Sequence, residues 1–203
     1  MNKRQIKELK IDYLSPVSGR ISLERAWDYM IANKVKALPV VDEEQTYIGM
    51  VTIEGITKAY MKGIKDQDIY ELEIPLENIL HTLRGTSIGK KVENIRLKDV
   101  KIQSLQEEEE IILGDDQVTI TTPYHRETIQ RILVRCIPVI YILESEDEMV
   151  YMKEDVKKAE KKVRKIKARY FAVADKEDQI VGVIEKEEIL YQYQSKRKVK
   201  KAI

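Results

Sequence analysis

Cysteine is almost absent: Cys136 is the single one in 203 residues, which excludes an internal disulfide and a multi-cysteine metal site. It lies in "IQRILVRCIPVIYIL", where a small core residue is expected rather than a nucleophile. Histidine is scarce too. His81 and His125 both fall in helix-like segments without a spaced carboxylate–histidine motif, so helix packing or surface is expected of each and a metal site of neither. Neither charge dominates, since 36 Lys and Arg face 35 Asp and Glu for a net charge of +1. No global field therefore recruits nucleic acid or a membrane surface. No apolar run approaches the roughly 20 residues that span a bilayer. The opening "MNKRQIKELK" also lacks the apolar stretch of a signal peptide, so a cytoplasmic chain is expected.

What is present is 43% apolar and 35% charged residues, a soluble globular composition with a dense charged surface. The length suits one large domain or two small ones. The acidic run Glu107–Glu110 and the basic run Ser195–Lys201 are expected to be solvated segments.

Order emerges from a repeat. An offset of 133 positions, without a gap, places Val40 on Val173, Asp42 on Asp175, Gly49 on Gly182 and Ile56 on Ile189. In the first copy, Ser22 is a good N-cap for "LERAWDYMIANK", whose Leu23, Ala26, Trp27, Met30 and Ile31 are spaced as one apolar stripe. "ALPVV" and "YIGMVT" read as strands around the turn "DEEQ", and "IEGITKAYMKG" as a helix closed by Gly63. A short extended piece near "DYLSPVS" precedes them. The second copy repeats the order with Asp155 as cap, Val156, Ala159 and Val163 as stripe, then "YFAVAD", "IVGVI" and the helix "EKEEILYQYQ". Two copies of one α/β unit argue for a pseudo-symmetric pair that buries sheet against sheet.

Between the copies, "PLENILHTL" suits a short helix with Leu76, Ile79, Leu80 and Leu83 on one side. "VENIRLKDVKIQSL" is strand-like, "QVTITTP" is a β-branched strand stopped by Pro123, and "HRETIQRILVRC" is an amphipathic helix. This middle part is not a third copy.

The helix, "LPVVDEEQTYIGMVT" and following helix resemble a CBS domain, the β-α-β-β-α unit that pairs into Bateman modules. The whole chain is similar to the regulatory region of CBS-containing, manganese-dependent family II inorganic pyrophosphatases. "PLENILHTLRG", "VTITTPYHRETIQRILVRCIPV" and "ARYFAVADKEDQIVGVI" carry that resemblance. It implies an α/β (α+β) fold of tandem CBS domains. Their boundaries are residues 8–72 for the first domain and 123–194 for the second with its leading helix. A connecting segment at 73–122 and a basic tail at 195–203 complete the chain. The span Gly89 to Gln117 is too short for a complete DRTGG domain, with "GDD" at Gly114–Asp116 as a remnant at most. The DHH and DHHA2 catalytic domains are missing, so no pyrophosphate hydrolysis is expected of this chain, and catalytic domains would act in cis or in trans.

CBS pairs that bind adenine nucleotides use the backbone of a first strand, the residues ahead of the central strand, and a Ser/Thr-x-x-Asp at the last helix. A helix N-terminus offers free N–H groups to a phosphate, a hydroxyl adds a hydrogen bond, and a carboxylate accepts from ribose. The resemblance carries these roles to Lys36, Ala37 and Thr52 in the first copy and to Arg169, Tyr170 and Glu188 in the second. Lys36 is a phosphate partner, Arg169 a phosphate partner or a surface charge, Tyr170 a ring for adenine or a core residue, and Glu188 a ribose acceptor. Two departures weaken the pattern. Gly55 stands where the ribose Asp belongs, and Glu185 replaces the second Thr and would repel a phosphate. The implied function is a non-catalytic regulatory module for AMP, ADP or a diadenosine polyphosphate, with no resident cofactor. The alternative is a structural module that dimerises and has lost its ligand. A homodimer through the CBS helices is expected from Tyr29, Tyr191 and Tyr193, amphipathic as interface residues often are. Nucleic-acid binding through the tail is disfavoured because no aromatic or basic surface accompanies it.

Overall fold

A computed structural model of the chain describes residues 3–62, 73–82, 94–96, 100–104, 109–113, 118–122, 133–144 and 149–191. His125, Gly63, Leu83, Glu107, Glu108, Gly114–Asp116, most of the "HRETIQRILVRC" segment, Tyr193 and the basic tail lie outside the described residues. The strands are β1 (Asp12–Tyr13), β2 (Val17–Ser18), β3 (Ala37–Val41), β4 (Tyr47–Thr52), β5 (Glu73–Pro75), β6 (Asn94–Arg96), β7 (Val100–Ser104), β8 (Glu109–Leu113), β9 (Val118–Thr122), β10 (Met149–Tyr151), β11 (Tyr170–Ala174) and β12 (Ile180–Glu185). The helices are α1 (Leu23–Asn33), α2 (Ile53–Lys62), α3 (Leu76–Thr82), α4 (Val156–Val163) and α5 (residues 186–191). They fall into two compact units, one of Met1–Gly19, Met30–Ile53 and Leu143–Ile203, the other of Arg20–Tyr29 and Glu54–Ile142.

The first unit holds the sheets of both copies, in orders β2-β3-β4 and β1-β12-β11-β10. The 133-residue offset survives in detail. Val17 pairs in parallel with Val40, and Val150 with Val173. Ala37 faces Thr52, and Tyr170 faces Glu185. Register slips between Val40 and Val41, and again between Val173 and Ala174. The turns are built alike. One oxygen of Asp42 accepts from the N–H groups of Glu44 and Thr46, and one oxygen of Asp175 from those of Glu177 and Gln179. Gln45 and Asp178 take the positive φ, at 64° and 60°, that closes each turn.

The helix starts follow the expected caps. Ser22 Oγ accepts from Arg25 N at 3.2 Å, and Asp155 Oδ1 from Lys157 N at 3.0 Å. Val156, Ala159 and Val163 are buried, as are Leu23, Ala26 and Met30. Ile31 departs from the stripe and is 58% exposed. At about 100° per residue it lies about 80° beyond the arc that Leu23, Ala26 and Met30 share.

The extended piece near "DYLSPVS" proves to be two strands serving two sheets. β2 joins the first copy, while β1 runs antiparallel to β12 of the second. Ile6, Leu9 and Ile11 enter the second copy's core beside Val156, Val163, Phe171 and Ile184. Backbone bonds from Ile6 N to Glu154 O and from Lys7 N to Met152 O hold that segment down.

In the second unit β5 pairs with β6, and β7, β8 and β9 form an antiparallel meander in which Ile111 faces Ile102 and Ile120. Glu109 and Glu110, expected within a solvated run, open β8 opposite Thr122 and Thr121. Helix α3 carries Asn78, fully buried, whose amide donates to the carbonyls of Arg20 and Cys136. That one side chain ties three separate chain segments together.

Candidate functional site

Two equivalent junctions in the first unit collect the expected site residues. In each, a strand pair ends and a helix begins. Ile53 N, at the start of α2, donates to Lys36 O at 3.0 Å, and Lys186 N, at the start of α5, to Arg169 O at 2.7 Å. Each bond locks the residue before the central strand against the last helix. The Lys36 and Arg169 side chains are exposed there. Ala37 and Tyr170, one residue on, share an apolar cluster with Met50, Ala172 and Val183. The two junctions are thus joined through one sheet-to-sheet core.

Tyr170 is 5% exposed, and the Arg169 guanidinium lies 5.5 Å from its ring centroid. The ring lines this core, and the cation covers it. Glu188 is half-buried in the first turns of α5, three residues after Glu185.

Thr52 is buried at the end of β4, directly before α2, and its hydroxyl donates to Glu144 Oε1 at 2.8 Å. Glu144 was not expected at this place. Its N–H donates to Met50 O at 2.9 Å, so the chain ahead of β10 crosses β4. Gly49 permits the crossing. Its φ of 147° suits glycine, and a Cβ there would stand 2.9 Å from Glu144 O. The only sequence signal is indirect: the same offset puts Glu144 on Ile11, which runs beside Gly182 in the other copy.

Among the described residues, other reactive groups do not converge. Burial pushes the Cys136 thiol up to about 12, so it stays protonated near neutrality, as a core residue should. His81 is half-buried in the last turn of α3. Burial also raises the Tyr60 phenol well above its ordinary range, where it meets Trp27 at 6.3 Å between ring centroids. Among the described residues no group of three His, Cys, Asp or Glu could hold a metal ion. None of the helices described is long and apolar enough to cross a membrane.

With this geometry in view, the comparisons decide the fold. Residues 7–62 match the CBS domain family. The regulatory region of a Clostridium perfringens pyrophosphatase, its CBS and DRTGG domains solved with the activator diadenosine tetraphosphate, superposes with a TM-score of 0.68. It is 19% identical, over 90% of this chain and 100% of that one. A CBS domain pair solved with 5′-methylthioadenosine and S-adenosyl-L-methionine superposes at 0.50, with 15% identity over 96% of this chain and 99% of that one. In sequence, the cobalt-dependent inorganic pyrophosphatase of Clostridium perfringens (strain 13 / Type A) is 24% identical over 90% of this chain. The chain spans 42% of that enzyme's length. The fold is the mixed α/β architecture of tandem CBS domains.

Proposed function

We propose that the chain is a non-catalytic regulatory module that binds an adenine nucleotide, AMP, ADP or a diadenosine polyphosphate, between its two CBS domains. The observation that carries this reading is the duplicated junction, with Lys36 and Arg169 each exposed beside a helix start whose first N–H is anchored on that residue's own carbonyl. Lys36 and Arg169 supply positive charge for phosphate, Thr52 a hydroxyl, Ala37 backbone, and Glu188 an acceptor for ribose. Tyr170 contributes by holding the Arg169 guanidinium against its ring. The neighbours solved with diadenosine tetraphosphate and with adenosine-derived ligands support the ligand class.

Regulation follows from differential affinity. A ligand that favours one arrangement of the CBS pair shifts its population, and pyrophosphatase catalytic domains in cis or in trans respond. This reading keeps the domain limits at residues 8–72 and 123–194, with 73–122 as a reduced DRTGG-like connection. The metal in the relative's name is cobalt, whereas the sequence resemblance points to manganese enzymes. Gly55 and Glu185 favour a second reading, a structural pair without a ligand.

Arg169→Ala separates the two. A charge-assisted hydrogen bond contributes about 1.5–3 kcal/mol, so AMP binding should weaken about ten- to a hundredfold in calorimetric titration. An unchanged dissociation constant removes Arg169 from the site. The same reading makes the chain a homodimer through its CBS helices, where Tyr191 is 62% exposed and Tyr29 half-buried. Light scattering should read twice the chain mass at tens of micromolar, and a monomer alone contradicts the dimer.

A further inference from the structure

Thr52 has one hydroxyl proton, and it is donated to a carboxylate of the same chain. Three contacts build that arrangement. The Glu144 N–H is bonded to Met50 O, its carbonyl passes the bare Cα of Gly49, and its Oε1 receives the Thr52 proton. A residue held at both backbone and side chain is positioned, not swept there by a loose surface rotamer. Thr52 immediately precedes α2, a ten-residue helix whose N-terminal end favours negative charge. The Glu144 carboxylate therefore occupies the electrostatic place that a ligand phosphate would take at this junction.

The second junction is built differently. By sheet pairing the counterpart of Glu144, which bridges Met50, is Asp12, which faces Val183 and is exposed, while Glu185 stands in the place of Thr52. A carboxylate thus stands at each junction, Glu144 bonded to Thr52 at the first and Glu185 at the end of β12 at the second. The phosphate pattern is opposed in both, by different means.

We infer that Glu144 is a specificity-determining residue of the first junction. By holding the Thr52 proton and a negative charge there, it penalises phosphate-bearing adenine nucleotides relative to the uncharged nucleoside. The inference rests on the nucleotide-binding reading above and names how that site discriminates among adenine ligands. A phosphate oxygen can take the Thr52 proton only after the carboxylate turns away, because two anions cannot share one donor at hydrogen-bond distance. Adenosine brings no anion and leaves the Thr52–Glu144 bond intact. Phosphate binding is accordingly coupled to release of the Leu143–Glu144 crossing from β4, whereas nucleoside binding is not.

The test is a titration of AMP and of adenosine against the wild-type chain, Glu144→Gln and Glu144→Ala. Glutamine keeps the shape and can still accept from Thr52, but carries no charge. In both variants AMP should bind about tenfold more tightly, the scale of one lost close repulsion, while the adenosine constant changes less than about twofold. Glu144→Ala guards against a glutamine-specific contact, and melting of the unliganded proteins checks that both fold. If both ligands shift equally, or AMP does not tighten in either folded variant, the inference is overturned while the nucleotide reading stands. If neither ligand binds any of the three proteins, the nucleotide reading is overturned and the inference with it.

Discussion

Phe171→Ala should lower the free energy of unfolding by about 3–5 kcal/mol, the range for deleting a fully buried aromatic side chain. Phe171 has no exposed surface and is among the largest side chains sealed in the core. Its cluster draws on the N-terminal segment through Ile6, Leu9 and Ile11, on α4 through Val156, Ala159 and Val163, and on α5 through Ile189. The walls come from separate elements pinned by their own hydrogen bonds, so they cannot collapse far into the void. Urea unfolding should show a much lower midpoint with an unchanged slope. A loss below about 1 kcal/mol would mean that the N-terminal segment does not seal this core.

Gly182→Ala should cost about 3 kcal/mol, at the upper end of the range for overpacking. An added Cβ would stand 2.5 Å from Asp12 O and 3.1 Å from both Tyr13 Cα and Ile11 Cγ2. Two of those three neighbours are backbone, and Tyr13 is paired to Gly182 in the β1–β12 ladder. Relief therefore requires β1 to lift from β12. Hydrogen exchange should show the loss first at β1 and at the Ile6–Glu8 turn, ahead of the rest of the second sheet. Uniform destabilisation without local opening at β1 would contradict the swapped placement of that strand.

These two substitutions also mark where the sequence is readable and where it is not. The repeat, its caps at Ser22 and Asp155, and its turns at Asp42 and Asp175 are local features, each set by side chains within four residues of the backbone they bind. Local chemistry of that kind is legible from order alone. The division of "DYLSPVS" between two sheets is not, because β1 and β12 are partners across most of the chain. The acidic opening of β8 is hidden for a similar reason. Strand formation there comes from pairing with β7 and β9, which outweighs the poor intrinsic preference of glutamate.

At the candidate site, Lys36, Ala37, Thr52, Arg169 and Tyr170 are named by the family resemblance, and the repeat aligns the strands that they precede or belong to. Glu144 carries no motif. Only the crossing at Gly49 brings it to Thr52, and a glycine in a strand says that some backbone approaches closely without saying which.

The central claim is the proposal that this chain, with the fold of tandem CBS domains, senses an adenine nucleotide, and thermal melting in AMP, ADP and diadenosine tetraphosphate tests it most directly. Ligand at about a hundred times its dissociation constant stabilises the native state by about 2.7 kcal/mol. For a chain of this size that is a rise of about 5–10 °C in melting temperature, expected with at least one of the three ligands. A melting temperature unchanged by all three at millimolar concentration would contradict the sensor reading and leave the structural pair in its place.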